Sequence, residues 1–236
     1  MKPRVRIDAT RTPSGDEMVL YQHDRDFSIT INGQELMNSR RYESELALAR
    51  LGCAHLVGRR APSILIGGLG MGYTLRQALD MLGPRAQVVV GELSADVVEW
   101  NRRFLGALNG WPLEDHRIKI ETGDVVELIS GSVGRFDAIL LDIDNGPSAL
   151  TDPGNNCLYD HEGLGACRRA LRDQGCLAVW SAVASKEFEK LLRLNSFHVR
   201  RFKVQAQKGC KSRSCLVWVA SESKNSLPRG GSEPRL

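Results

Sequence analysis

Residues 64–74 read ILIGGLGMGYT and constrain the fold of this chain more than any other stretch. An apolar run that stops at closely spaced glycines indicates a short buried strand followed by a tight turn. TLRQALDML continues with helical spacing until Gly83-Pro84 ends it. Strand, glycine turn and helix in this order predict a βα unit, the building block of a parallel sheet.

The same alternation continues through most of the chain. AQVVVGEL, RIKIETG, FDAILLDID and GCLAVWSA read as strands, and a helical segment follows each of them. The last two strands, FHVRRFKVQAQ and SCLVWVASE, have no helix between them. These patterns predict an α/β, Rossmann-like fold: a mostly parallel seven-stranded sheet with helices on both faces and an antiparallel C-terminal hairpin.

The two ends of the chain follow other patterns. MVLYQHD and FSITING alternate apolar and polar residues, and Asn32-Gly33 is a strong hairpin signal. We therefore expect a small N-terminal β-hairpin unit over residues 1–40 and the Rossmann-like domain over 41–222. The polar, Pro- and Gly-rich residues 223–236 predict a disordered tail.

Composition excludes several classes of protein. The 236 residues are 42% hydrophobic and 25% charged, with a net charge of +4. The basic residues form short clusters without interleaved aromatic residues, which argues against a nucleic-acid partner. No apolar stretch is long enough to span a membrane or to act as a secretory signal, so we expect a cytoplasmic protein. Six scattered cysteines without paired spacing indicate neither a metal site nor a disulfide framework.

The glycine loop is a candidate ligand site. Gly68, Gly70 and Gly72 lie between a strand and a helix, where the backbone can approach a ligand closely. A dinucleotide fingerprint requires G-x-G-x-x-G, but Tyr73 occupies the position of its last glycine. The loop therefore argues against an NAD-dependent oxidoreductase.

Two acidic residues follow the next two strands. Glu92 closes the second strand, where a carboxylate accepts both hydroxyls of a ribose. Asp124 follows the third strand and is placed either to read an adenine amine or to cap a helix, or to do both. A glycine loop, these two acids and the closing hairpin together describe the class I methyltransferase-like fold, which binds S-adenosylmethionine and related nucleosides.

Several segments resemble the spermidine synthase (polyamine aminopropyltransferase) family, over about Met18 to Glu222. RRYESELALARL is similar to the family's helix with a Y-H-E signature, and ILIGGLGMGYTLRQAL to its G-G-G-D-G-G loop. FDAILLDIDNGPSAL resembles the strand that ends in D-S-[ST]-D-P-x-G-P, and CLYDHEGL the L-[FY]-[ST] segment that follows it.

The resemblance implies roles for particular residues. Glu92 would hold the ribose and Asp124 the adenine, as in the family. Asp142 would orient or deprotonate the attacking amine, and Asp144 matches the second acid of the same motif. Glu45 and Tyr159 would contribute to substrate binding. A polyamine carries several ammonium groups, so carboxylates suit it as a substrate.

The chain also departs from the family. Gly70 and Met71 stand where the family's glycine loop has an acid that contacts the amine of decarboxylated S-adenosylmethionine, and Ser44 replaces the signature His. The family's D-S-[ST]-D-P run is also shortened to D-I-D-N-G-P, and fewer acids favour a cofactor that keeps its carboxylate. We therefore expect a methyltransferase that uses S-adenosylmethionine and acts on a small-molecule or peptide acceptor. The alternatives are an aminopropyltransferase that uses decarboxylated S-adenosylmethionine and a non-catalytic nucleoside-binding relative. The N-terminal strand edges could also support a homodimer.

Overall fold

The computed structural model describes residues 3–143, 155–207 and 214–230. The N-terminal part is an antiparallel sheet in the order β1-β2-β3-β4. Its strands are β1 (Val5–Arg11), β2 (Glu17–His23), β3 (Asp26–Ile31) and β4 (Gln34–Asn38). Asn32 and Gly33 turn the chain between β3 and β4 with φ of 48° and 79°, the left-handed conformation that a two-residue hairpin needs. The sequence pattern predicts this hairpin but not β1.

The second sheet has seven strands in the order β10-β11-β9-β8-β5-β6-β7. They are β5 (Ser63–Gly67), β6 (Gln87–Glu92), β7 (Ile118–Thr122), β8 (Phe136–Leu141), β9 (Leu171–Ser181), β10 (His198–Gln205) and β11 (Ser214–Ser221). Strands β5 to β9 pair in parallel, whereas β11 is antiparallel to both β9 and β10. The predicted fold class is confirmed.

The described helices connect these strands. They are α1 (Glu43–Gly52), α2 (Tyr73–Met81), α3 (Ala95–Trp100), α4 (Val125–Ser130), α5 (His161–Ala170) and α6 (Lys186–Leu194). Side chains that accept a backbone N–H begin several of them, including Ser94 at α3, Asp160 at α5 and Ser185 at α6. The chain continues past α3 as a π-helical turn, Asn101–Leu105.

Side chains on the two faces of the sheet pack in two separate apolar cores. Ala138 and Leu140 of β8 belong to the core that includes α1, α2 and residues of the N-terminal sheet, whereas Ile139 and Leu141 pack with α4, α5 and α6. The strands β6 and β7 follow β5 on one side of it, and β8 is added on the other side. The strand order therefore reverses next to β5. A ligand crevice is expected at this switch point, outside the carboxyl ends of the strands.

Part of the expected disordered tail is packed against the sheet. Residues Lys224–Ser226 form a short 3-10 helix, and the Leu227 side chain is buried. The Cys176 thiol donates to the Ser226 carbonyl, and Arg200 donates to the Pro228 carbonyl. These contacts involve one buried leucine and two side-chain hydrogen bonds, and the amino-acid sequence of a Pro- and Gly-rich segment does not indicate them. Within the described residues, no helix is long and apolar enough to cross a membrane.

Candidate active site

The glycine loop lies directly against the residue that follows β8. Gly68 has a φ of 87°, and a Cβ built on it would lie 2.4 Å from the carbonyl oxygen of Asp142. The Asp142 N–H in turn donates to the Gly67 carbonyl at 2.9 Å. A side chain at position 68 would therefore separate the loop from Asp142, which explains why glycine is needed there.

Glu92 connects the end of β6 to the glycine loop. Its Oε2 accepts the Leu69 N–H at 2.8 Å, and its Oε1 accepts the Ser94 N–H at 2.9 Å. Burial raises the pKa of this carboxyl, and the backbone N–H groups that it accepts partly oppose the rise. The predicted ribose acid and the predicted nucleoside loop are thus in direct contact.

Asp124 caps α4. Its Oδ1 accepts the Val126 N–H at 2.8 Å, and the side chain is exposed. The Gly123 N–H donates to the Glu92 carbonyl at 3.0 Å, which brings the end of β7 beside the end of β6. Of the two roles that the sequence left open, the cap is observed, and the contact with adenine stays a prediction.

Asp142 and Glu45 form a half-buried pair of carboxyls. The Thr74 hydroxyl at the start of α2 donates to Asp142 Oδ2 at 2.5 Å. Burial raises the pKa of Asp142 to about 6, and this hydrogen bond opposes the rise. The pKa of Glu45 is raised well above its usual value, first by burial and then by the charge of Asp142. Among the described residues, no cationic side chain contributes to the pKa of either carboxyl.

Aromatic side chains lie beside this pair. Tyr73 stacks on Tyr42 with ring centroids 4.5 Å apart, and its hydroxyl donates to the Ser39 carbonyl at 3.2 Å. Burial raises the pKa of Tyr73, and the neighbouring Glu45 carboxyl raises it further. Tyr73 also lines a cavity of about 450 Å³ between the N-terminal sheet and helices α1 and α2. Glu45, Glu92 and Asp142 are not among the residues that line that cavity.

Other expected site residues lie elsewhere. Tyr159 is buried in the core on the α5 and α6 face, with its ring edge-on to Phe188 at 5.7 Å between centroids. Glu45 and Asp142 meet on the opposite, α1 face, so the structure does not bring Tyr159 to them. Asp144, like most of the loop after it, falls outside the described residues. Sequence reasoning missed Thr74, because a threonine at a helix start carries no functional signal of its own.

The sheet order and the crevice at its switch point define a class of protein, the Rossmann-like proteins of the class I methyltransferase-like fold. Comparison with known proteins shows which members of this class the chain resembles. The chain is 31% identical over 120 residues to the polyamine aminopropyltransferase of Korarchaeum cryptofilum, covering 50% of this chain and 35% of that protein. It is 31% identical over 121 residues to the polyamine aminopropyltransferase of Nitrosomonas europaea, covering 50% and 34%. The matched stretch thus spans about a third of the length of these curated relatives.

Solved structures give the same result for the fold. The spermidine synthase of Thermotoga maritima superposes with a TM-score of 0.71 at 16% identity, covering 94% of this chain and 75% of the other. A spermidine synthase in complex with the transition-state analogue AdoDATO superposes with a TM-score of 0.69 at 17% identity and the same coverage. No protein-family model matches the sequence. The resemblance to spermidine synthases expected from the sequence is confirmed.

The expectation of a methyltransferase is wrong. The relatives in sequence are named aminopropyltransferases and the neighbours in structure are spermidine synthases, both of them transferases. The expectation rested on the missing acid at Gly70 and on the shortened D-I-D-N-G-P motif, because the loss of carboxyls makes a pocket less acidic. Glu45 and Asp142 nevertheless leave two carboxyls beside the loop, and no described cation neutralises them.

Proposed function

We propose that this chain is a polyamine aminopropyltransferase, which transfers the aminopropyl group of decarboxylated S-adenosylmethionine to an amine. The observation that carries the proposal is the half-buried Glu45 and Asp142 pair beside the glycine loop, where no described cation contributes to the pKa of either carboxyl. Two carboxyls without a cationic partner form an environment that favours ammonium groups. Both the donor's side arm and a polyamine acceptor end in such groups.

The nucleoside part of the donor fits the crevice at the ends of β5 and β6. The two oxygens of Glu92 accept the N–H groups of Leu69 and Ser94, and the N–H groups of Gly70 and Leu93 also stabilise the carboxylate. Ribose hydroxyls would share the carboxylate with these backbone donors. The glycine loop, with Gly68, Gly70 and Gly72, would lie along the sulfur-bearing arm, and Asp124 at the end of β7 would accept from the adenine amine.

The arm of the donor would extend toward the carboxyl pair. An intact methionine tail would bring its own carboxylate there, and that charge would be repelled by Asp142. The decarboxylated arm brings only an ammonium group, which Asp142 and Glu45 attract. Although the acid at Gly70 is missing, the two carboxyls from α1 and from the end of β8 remain to attract this ammonium group.

The reaction needs an uncharged amine. With a pKa of about 6, Asp142 is ionised at neutral pH and can accept a proton from the attacking ammonium group. The nitrogen then attacks the methylene carbon bonded to sulfur, a C–N bond forms, and the C–S bond breaks with its electron pair on sulfur. The products are the aminopropylated amine and 5′-methylthioadenosine. The Thr74 hydroxyl would hold Asp142 in place for this step.

The proposal is tested by incubating the purified protein with putrescine and either decarboxylated or intact S-adenosylmethionine. We expect mass spectrometry to detect spermidine and 5′-methylthioadenosine only with the decarboxylated donor, and calorimetry to show tighter binding of that donor. The Asp142→Asn variant is the matched control for turnover. Tighter binding of the intact donor, or the absence of aminopropylated product with several diamines, would contradict the proposal.

A further inference from the structure

Two asparagine side chains hold the carbonyl groups of the glycine loop. Asn101 Nδ2 donates to the Gly70 carbonyl at 2.8 Å and to the Val97 carbonyl at 2.9 Å. Asn109 Nδ2 donates to the Met71 carbonyl at 2.7 Å. Glu92 accepts an N–H of the same loop, that of Leu69. The loop is therefore fixed both through an N–H group and through two of its carbonyl groups.

The segment that carries these asparagines has an irregular backbone. Asn101 begins the π-helical turn that follows α3, and such turns are frequent at functional sites. Asn109 is followed by Trp111, which has a φ of 54° although it is not glycine. A Cβ on Gly106 would lie 2.2 Å from the Trp111 ring, so the indole packs on the backbone of the turn before it. This close packing fixes the segment from which Asn109 reaches the loop.

The loop conformation explains why its carbonyls need donors. Gly70 and Gly72 have φ of 52° and 82°, and a Cβ on Gly72 would lie 3.1 Å from both Asn101 Oδ1 and Asn109 Nδ2. The two amides thus lie against the loop itself. A buried carbonyl without a donor costs free energy, so without these amides the loop would relax to another conformation.

The asparagines are not the most stable choice for these positions. Asn101 is only 1% exposed, and the Oδ1 atoms of Asn101 and Asn109 are both buried without a hydrogen-bond partner among the described residues. An apolar side chain at either position would avoid that cost. The cost is offset only through the Nδ2 groups, whose acceptors include the two loop carbonyls.

We infer that Asn101 and Asn109 are positioning residues, which hold the glycine loop in the conformation that binds the donor nucleoside. The inference rests on the proposed function. The asparagines themselves need not touch the ligand. They act through the carbonyls of Gly70 and Met71, and so set where the loop backbone lies relative to Glu92.

The test compares Asn101→Asp and Asn109→Asp with Asn195→Asp. Asn195 is a matched control because it is 6% exposed and its Nδ2 also donates to a helix carbonyl, that of Leu191 at 3.0 Å, but it lies at the end of α6. Aspartate keeps the shape of asparagine and removes the donor. The measurements are the Kd for 5′-methylthioadenosine by calorimetry, the melting temperature, and the KM values for donor and amine.

We expect Asn101→Asp and Asn109→Asp each to raise the Kd about tenfold or more, the loss expected for one hydrogen bond to a buried carbonyl. The KM for the donor should rise while the KM for the amine stays within about twofold, a split that a general loss of stability would not produce. Asn195→Asp should lower the melting temperature and leave the Kd unchanged. If Asn101→Asp does not fold, the half-buried Asn109 decides the question.

The outcomes separate this inference from the proposed function. If the unaltered chain binds 5′-methylthioadenosine and both loop variants bind it equally well, the inference is overturned and the proposed function stands. If the unaltered chain does not bind the nucleoside at all, both are overturned.

Discussion

Two acidic residues near opposite ends of β8 differ in the partners that surround their carboxyls. Asp137 lies near the start of β8 and is 4% exposed, and Asp142 follows the last residue of that strand. Asp137 accepts hydrogen bonds from Arg59 at 2.9 Å, from Arg172 at 2.8 Å and from the Ser63 N–H at 2.8 Å. Its charge is neutralised, and it joins the start of β5 to β8 and β9.

Asp142 has no such partners among the described residues. It accepts the Thr74 hydroxyl, and its charge raises the pKa of a second carboxyl, that of Glu45. Burial raises the pKa of Asp142, whereas two arginines and a backbone N–H surround Asp137. The difference teaches that burial alone does not mark a functional acid. We propose Asp142 as the functional acid because no described cation neutralises it, so that a charged ligand can supply the missing partner.

The largest effect should come from Asp142→Asn. We expect the rate of aminopropyl transfer to fall at least about 100-fold, because the amide cannot accept the proton of the attacking amine. The Kd for 5′-methylthioadenosine should stay nearly unchanged, since Glu92 and the loop remain. Turnover measured by product formation and Kd by calorimetry check both parts. A loss of nucleoside binding would mean that Asp142 belongs to the nucleoside site instead.

The substitution Asp137→Ala should have the opposite effect: it should reduce the stability of the protein and leave nucleoside binding unchanged. We expect a loss of about 2 to 4 kcal/mol in the free energy of unfolding, because the Ser63 N–H and two arginines lose a buried acceptor. The arginine side chains are 41% and 44% exposed and recover water, which keeps the loss from being larger. Chemical denaturation measures the effect. Unchanged stability would show that Asp137 has no structural role.

Asp142 should also make stability depend on pH in a direction opposite to that of an ion-paired acid. The pKa of Asp142 is raised from 3.8 to about 6 in the folded protein. Its contribution to the stability of the folded state is therefore largest below pH 3.8, where Asp142 is protonated, and is lost as the pH rises through 6 and Asp142 ionises. Asp142→Asn should therefore be more stable than the unaltered chain by about 2 to 3 kcal/mol at pH 8 and show little difference at pH 4. Denaturation at the two pH values measures this. An equal difference at both would contradict the raised pKa.

We expect the smallest effect from a change at Glu92. This carboxyl lies at the same end of the sheet and accepts hydrogen bonds from backbone N–H groups. Glu92→Gln should raise the Kd for 5′-methylthioadenosine by about tenfold, because an amide presents only one acceptor oxygen to the ribose and to the N–H groups of Leu69 and Ser94. Calorimetry measures the change. An unaltered Kd would show that Glu92 does not hold the ribose.

Much of the fold could be predicted because its signals are local. Apolar runs, glycine turns and helix caps lie within a few residues of each other, and Asn32-Gly33 specifies its hairpin without help from the rest of the chain. The position of Glu92 beside the glycine loop also followed, because parallel strands end at one edge of the sheet. The roles of Asp124 and Asp144 remain predictions.

The predictions that failed or fell short depended on contacts between distant residues. Tyr159 was expected to contribute to substrate binding, but it lies between the 3-10 turn Asn155–Leu158 and α5 and packs in the core on the other face of the sheet. The expected charge of the pocket depended on Gly70 and on the shortened D-I-D-N-G-P motif, whereas Glu45 and Asp142, which are 97 positions apart in the numbering, come together only in the folded chain. No local pattern indicated that Asn101 and Asn109 reach the loop carbonyls.

The amino-acid sequence alone determined the order of strands and helices, the site of the glycine loop and the acid that follows β6. Periodicity and turn chemistry act over a few residues, and that information is present in the unfolded chain. Only the tertiary structure decided which carboxyls share a crevice, which are neutralised by arginine, and what holds the loop in place. Burial and electrostatic partners arise when distant segments pack together, so they have no counterpart in the sequence of neighbouring residues.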